Sequence, residues 1–257
     1  MRRLLRIART EVLEHRRQPW MIFILAANYV LWILVFGAVF LIVDGIASRP
    51  GTLAALQRQM RAFGVDLDAF LRLATSTFGS LSFTNLPLFV AIMSGLSVLH
   101  DRECGTMPFL MLAPVTRRQL LMGKLAGAMA IPLVLHLLFV GTSSVLIGRL
   151  DSLAPHAHKF GASPAWWLAF LVGAPASAAF VGALGTVISA LSRDVRTSMQ
   201  YTSFFIGILS LAIGFVLVDG ISTGMMLQVA YAGGCIVASA LTLLVGARLI
   251  SKDVPVT

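Results

Sequence analysis

Residues 20–43 read WMIFILAANYVLWILVFGAVFLIV, a run of 24 residues without a charged side chain. A helix needs about 20 such residues to cross the hydrocarbon core of a bilayer. Five further apolar runs of comparable length follow, at 81–99, 120–147, 166–191, 201–218 and 225–247. Because the backbone must satisfy its own hydrogen bonds in lipid, these runs are expected to be helical. The sequence predicts an all-α integral membrane protein with six transmembrane helices.

Composition excludes several classes of protein. The chain of 257 residues is 58% hydrophobic and only 12% charged, whereas a soluble domain has about 45–50% apolar and about 25% charged residues. A soluble enzyme, a disordered protein and a disulfide scaffold are therefore excluded. The net charge of +9 can indicate nucleic-acid binding. Here the basic residues lie in short loops between apolar runs, so membrane topology explains them and no nucleic-acid partner is expected.

The distribution of basic residues predicts the orientation. With the N-terminus in the cytoplasm, 14 lysines and arginines lie inside and 6 outside, which places both termini in the cytoplasm. Residues 1–19 combine an apolar face with surrounding arginines, as in an interfacial amphipathic helix. The run that follows exceeds the roughly 7–15 residues of a signal-peptide core, so it is expected to be retained. Residues 20–257 then form one transmembrane domain.

The loop after the second span, 100–119, reads HDRECGTMPFLMLAPVTRRQ. It is dense in polar and turn-forming residues in a chain that is otherwise sparing with charge. Thr106 is a candidate N-cap for a short helix, and Pro114 would end that helix. Phe109 and Leu110 would provide apolar contact surface, a shape suited to a groove in a cytoplasmic partner.

These residues carry a resemblance to a known family. The pattern Glu103-x-Gly105-Thr106, then Pro114-x-x-Arg117 and Gly123-Lys124, resembles the type-2 permeases of ATP-binding cassette (ABC) exporters. The stretch 8–19 is similar to the N-terminal helix of that family. The resemblance implies that loop 100–119 is a coupling loop that docks on a separate ATPase subunit. Coupling is thereby expected at Glu103, Gly105, Thr106, Phe109, Leu110, Pro114, Arg117 and Arg118, with Glu11 bracing the N-terminal helix against the same subunit.

The chain itself carries no ATPase signature. A phosphate-binding loop reads G-x-x-x-x-G-K-[ST], whereas Gly123-Lys124 is followed by Leu125 and lacks the earlier glycine. We therefore expect a permease subunit that is no enzyme and binds no cofactor, with ATP and Mg on the ATPase partner. By the resemblance, two permeases would work with two ATPases in the bacterial cytoplasmic (inner) membrane. The second permease is either a copy of this chain or a paralogue.

The substrate is predicted only by class. Only 219–224 separates the last two spans, which leaves little room for the re-entrant helices of polysaccharide exporters. A small or amphipathic substrate, such as a drug, peptide or lipid, is favoured. Polar residues within spans tend to face a water path, and the candidates for a substrate path are Asn28, Asn85, His136, Ser143 and Gln228.

Other functions fit fewer features. A secondary transporter would need charges near the midplane, which the spans lack. A non-transporting scaffold or immunity protein would not need a docking loop. An intramembrane enzyme would need catalytic residues, and no such motif occurs. His156 and His158 lack an evident third ligand, so no metal site is expected. Gly123 and Gly127 predict close helix packing, either within one chain or between two.

Overall fold

A computed structural model describes residues 2–16, 19–106, 114–147, 164–192, 194–208 and 225–253. These ranges contain helices and turns but no strand. The helices are α1 (Arg2–Arg16), α2 (Pro19–Ala47), α3 (Pro50–Ala62), α4 (Leu67–Glu103), α5 (Arg117–Ile147), α6 (Pro164–Leu168), a π-helical segment (Ala169–Gly173), α7 (Ala174–Leu191), α8 (195–208) and α9 (Met225–Asp253).

Within the described ranges, 5 helical stretches are long and apolar enough to cross a membrane. They are Pro19–Ile46, Phe83–Asp101, Arg117–Leu146, Ala169–Leu191 and Met225–Leu249. Of the predicted fifth span, residues 201–208 belong to α8, and the rest lies outside the described residues. The protein is therefore an all-helical, multi-pass membrane protein.

Helix α4 is the central element of the bundle. It runs for 37 residues, Leu67–Glu103, and begins well before its membrane-spanning part, Phe83–Asp101. Its span is mostly buried, whereas the spans of α2 and α9 mostly expose apolar side chains. In lipid such an exposed apolar face carries no penalty, so α2 and α9 form the outer surface.

Small residues allow α4 and α7 to approach closely. A Cβ atom added at Gly182 would lie 2.7 Å from Val90 Cγ1, and one at Gly185 would overlap Ser94 Oγ. Ser189 Oγ accepts a hydrogen bond from the Leu99 backbone N–H at 3.0 Å. Backbone approach of this kind stabilises helix pairs in membranes, where no hydrophobic effect drives association.

Glycines also allow α1 to pack closely against α5. A Cβ atom at Gly123 would lie 2.7 Å from Ile7 Cβ, and one at Gly127 would overlap Glu11 Cβ. These glycines therefore serve packing within the chain. Because glycine has no side chain, the two backbones can approach closely, and α1 lies directly on the beginning of α5.

We expect Gly127→Ala to displace α1 from α5. The added methyl group overlaps Glu11 Cβ and lies 3.0 Å from the Ala8 carbonyl oxygen, and such overpacking costs about 1–3 kcal/mol. Thermal unfolding in detergent should show a lower midpoint, and trypsin should cut faster at the arginines of α1.

Gly141→Ala is the matched control on the same helix. It meets nothing within 4 Å, and alanine is the better helix former. Equal midpoints and equal cleavage for the two variants would contradict the packing role of Gly127.

Candidate functional site

Three helices meet at one buried ammonium group. Lys124 of α5 is 3% exposed, and its Nζ donates to Glu11 Oε2 of α1 at 2.5 Å. The same nitrogen lies 2.7 Å from Asp101 Oδ2 of α4 and donates to the Ser97 carbonyl oxygen at 3.1 Å. Two of the three ammonium donors therefore form hydrogen bonds, to Glu11 and Ser97, and Asp101 adds a second ion pair. We call Lys124, Glu11 and Asp101 the charge cluster.

The charge cluster also fixes the start of the predicted coupling loop. Gly105 has a positive φ of +68°, a conformation that glycine adopts without steric penalty. This turn brings Thr106 back onto α4. Its Oγ1 donates to the carbonyl oxygen and to Oδ1 of Asp101, at 3.1 and 3.2 Å, and its N–H donates to the Asp101 carbonyl at 2.8 Å. Thr106 therefore closes the C-terminal end of α4. The short helix that it was predicted to cap lies outside the described residues.

A capping box marks the other end of the loop. The Gln119 N–H donates to Thr116 Oγ1 at 3.3 Å, and the Thr116 N–H donates to Gln119 Oε1 at 3.1 Å. This reciprocal pair satisfies two otherwise free donors at the start of α5. The loop therefore leaves α4 at Thr106, which is hydrogen-bonded to Asp101 of the charge cluster, and joins α5 two turns before Lys124.

Burial shifts the titration of two groups on α1. Removal from water disfavours the carboxylate and raises the pKa of Glu11 to about 7, although Lys124 favours the ionised form. One ammonium serves two carboxylates here, so a proton on Glu11 makes the charge cluster neutral. Burial lowers the pKa of His15 to about 4, which leaves its imidazole neutral at physiological pH.

The predicted coupling residues separate into two groups. Glu103, Gly105, Thr106, Pro114, Arg117 and Arg118 are exposed at one end of the bundle. Glu11 is 2% exposed and engages Lys124 of the same chain. Phe109 and Leu110 lie outside the described residues. No sequence pattern predicted a role for Lys124, Asp101 or His15, although Lys124 is the one fixed charge within the six predicted spans.

A second polar group lies within the spans, at the π-helical segment. Pro175 lacks an N–H, and its ring crowds the carbonyl four residues earlier, so the preceding turn widens. Here His136 Nε2 donates to the Phe170 carbonyl oxygen at 3.0 Å. The His136 ring stacks on Phe170 with 6.1 Å between centroids and lies edge-on to Tyr29 at 6.5 Å.

The other predicted path residues share one property with His136. Each keeps a side-chain polar atom without a hydrogen-bond partner among the described residues: Asn28 Oδ1, Asn85 Nδ2, His136 Nδ1, Ser143 Oγ and both polar atoms of Gln228. In lipid an unsatisfied polar group costs several kcal/mol. Polar atoms of this kind are typical of a surface that contacts water or a polar ligand.

Removing the Lys124 ammonium should destabilise the fold. Lys124→Met leaves Glu11 and Asp101 buried without a cation, a change that costs about 3–5 kcal/mol. We expect a lower midpoint of thermal unfolding in detergent. Arg117→Met, an exposed change on the same helix, should alter the midpoint little. Partial recovery is expected when Glu11→Gln is added to Lys124→Met. If Lys124→Met unfolds like Arg117→Met, the charge cluster has no structural role.

The two shifted groups predict a distinctive pH dependence. The raised pKa of Glu11 favours the fold below pH 4.5, and this contribution is lost as pH rises through about 7. The lowered pKa of His15 favours the fold above pH 6.5, and this contribution is lost as pH falls through about 4. Each contributes at most about 1.4 kcal/mol per pH unit, with opposite signs.

The wild type should therefore change little in stability between pH 4.5 and 6.5 and lose stability towards pH 7.5. Glu11→Gln removes one of the two contributions, so its unfolding midpoint should rise steadily from pH 4 to 6.5. Parallel curves for the two proteins, measured by thermal unfolding across this range, would show that Glu11 is ionised throughout.

Comparison with known proteins identifies one family. The family model described as ABC-2 family transporter protein matches residues 5–231, which includes α1, the charge cluster and most of the spans. No curated protein matches the chain. Among the described residues, no group of three or more histidine, cysteine, aspartate and glutamate side chains has the geometry to hold a metal ion.

Proposed function

We propose that this chain, which belongs to the ABC-2 family of transporter proteins, is the permease subunit of an ATP-driven exporter. Membership of this transporter family supports the role of a permease. The observation that carries the finer proposal is the charge cluster, which joins α1, α4 and α5 at one buried point, with Thr106 at the start of the loop hydrogen-bonded to Asp101. A loop fastened in this way transmits force from a partner to three helices at once.

The proposed topology has six spans and two cytoplasmic termini. Residues 1–19 form an N-terminal helix at the cytoplasmic interface, and residues 20–257 form the transmembrane domain. The proposed fifth span is 201–218, of which residues 201–208 belong to α8. The distribution of 14 against 6 basic residues supports this orientation. In this proposed orientation, loop 100–119, the proposed coupling loop, lies on the cytoplasmic side, and the proposed membrane is a bacterial inner membrane.

In the proposed mechanism, ATP binding closes a pair of ATPase subunits, which hold ATP and Mg. Their movement pushes the coupling loops of two permeases, either two copies of this chain or this chain with a paralogue. Because Asp101 and Thr106 tie the loop to α4, the push tilts α4. Lys124 passes the same displacement to α1 and α5, and the spans separate towards the outside.

The substrate path is proposed along the unsatisfied polar atoms of the spans. Asn28, Asn85, His136, Ser143 and Gln228 supply donors and acceptors, and the aromatic rings around His136 supply flat apolar surface. This combination suits a small or amphipathic drug, peptide or lipid better than a metal ion. It supplies polar contacts for orientation and apolar area for affinity.

Two glycines allow a matched test of coupling. Gly105 (φ +68°) and Gly64 (φ +71°) have the same left-handed backbone, and a Cβ at either meets nothing within 4 Å. An alanine at either position therefore adds similar local strain, on the order of 1–2 kcal/mol. Gly105 begins the coupling loop, whereas Gly64 follows α3 at the other end of α2.

We expect Gly105→Ala to assemble with the ATPase but to lose several-fold in stimulated ATP hydrolysis and in efflux from cells. Gly64→Ala should retain both activities at an equal loss of thermal stability. Equal activity of the two assembled variants would contradict a coupling role for the turn at Gly105.

A further inference from the structure

A cavity of about 250 Å³ lies between the end of α1, the end of α4 and the first residue of α8, Val195. Its wall contains three glutamates, Glu11, Glu14 and Glu103, together with two histidines, His15 and His100. The chain of 257 residues with net charge +9 has no other glutamate. All three carboxylates of this type therefore face one cavity in a strongly basic protein.

No described side chain supplies a counter-ion for Glu14 or Glu103 in the wall of the cavity. Lys124 is engaged by Glu11, by Asp101 and by the Ser97 carbonyl. Among the described side chains, no cation forms an ion pair with Glu14 or Glu103. The cavity thus presents negative charge that nothing in the described part of the chain neutralises.

A buried imidazole adds a second, independent sign of a ligand. His15 is 7% exposed and lines the cavity. Its Nε2 has no hydrogen-bond partner in the described chain. The nearest carboxylate atom, Glu11 Oε1, is 3.6 Å away, which is beyond hydrogen-bond distance. Burial lowers the pKa of His15 to about 4, so the neutral ring can offer one nitrogen as an acceptor.

Size and donor geometry select the occupant. The volume exceeds the roughly 150 Å³ that holds a benzene ring and falls below the roughly 300–1,000 Å³ of drug-sized pockets. It fits one large side chain. The acidic and imidazole groups do not converge closely enough for a metal ion. A guanidinium is larger, has five donors in a plane, pairs with carboxylates and stacks on flat rings.

We propose that this cavity receives an arginine side chain of the ATPase subunit. The guanidinium would bind Glu14 and Glu103, with His15 Nε2 as an additional acceptor. This inference rests on the proposed function. Glu103, in the wall of the cavity, lies two residues before the turn at Gly105, where the proposed coupling loop leaves α4. The permease then both inserts its loop into the partner and accepts a residue from it.

The test uses the complex purified in mild detergent from the organism's own membranes. The ATPase chain is released and rebound to the wild type, to Glu14→Gln/Glu103→Gln and to Asp66→Asn. Glutamine keeps the shape and removes the charge, and neither residue contacts Lys124. Asp66 is an exposed carboxylate after α3, at the opposite end of α2, and serves as the control.

We expect the double variant to bind the ATPase about 10- to 100-fold more weakly at 0.15 M salt, with Asp66→Asn unchanged. Unfolding midpoints should agree among the three proteins. If the double variant binds the ATPase as tightly as the wild type does, this inference is overturned but the proposed function is not. The same result is expected if a lipid amine, and not an arginine of the ATPase, fills the cavity. A wild type that carries no ATPase overturns the proposed function and this inference with it.

Cys104 permits direct identification of the partner residue. Its thiol is exposed, whereas Cys235 is buried, and its Sγ lies 3.6 Å from His100 Nε2 at the cavity. A short reagent that joins a thiol to a guanidinium should link Cys104 to one arginine of the ATPase, and Cys104→Ser should abolish the link. Alanine at that arginine should weaken binding as much as the double variant does.

Combining the partner alanine with the double variant should cause no further loss of binding, because both remove the same contact. Fully additive losses, or the absence of a link from Cys104 to an arginine, would overturn the assignment.

Discussion

The burial of three charged side chains at one point is the constraint on which this structure depends. An ammonium group in a low-dielectric site is tolerated only when its charge and all its donors are satisfied. Lys124 meets this condition by drawing one carboxylate from α1 and another from α4. If α1 or α4 moved away, a buried charge would lose its partner, and this costs a large amount of free energy. The N-terminal helix α1, which is not among the candidate membrane spans, is thereby held against α4 and α5 by buried charged contacts.

Close packing makes this arrangement geometrically possible. The carboxylate of Glu11 reaches Lys124 only because Gly123 and Gly127 let α1 lie directly on α5. Asp101 is held in place by Thr106, whose position depends on the turn at Gly105. Electrostatics, helix contact and loop geometry are therefore coupled. A displacement of Thr106 would therefore reach Asp101 and Lys124, and this property suits the proposed conversion of partner movement into movement of the spans.

The sequence predicted the helical membrane fold because the apolar runs are long and nearly free of charge. It also predicted close helix packing at Gly123 and Gly127, because the spacing of small residues is a local pattern. It did not predict the charge cluster, whose members are separated by up to 113 positions; only tertiary packing brings them together. The π-helical segment was missed for a similar reason, because Pro175 indicates a disturbance but not its form. Lys124 was the available signal, as an isolated charge in an apolar run needs a partner.

The central claim is that this chain works as the permease of an ATPase-driven complex. Native mass spectrometry of the protein extracted gently from its own membranes, with an ATPase assay on the same sample, tests it most directly. The account predicts two permease chains with two ATP-hydrolysing chains, and the mass shows whether both permeases are this chain. A monomer or dimer without ATPase activity, under conditions that preserve a known complex of this kind, would contradict it.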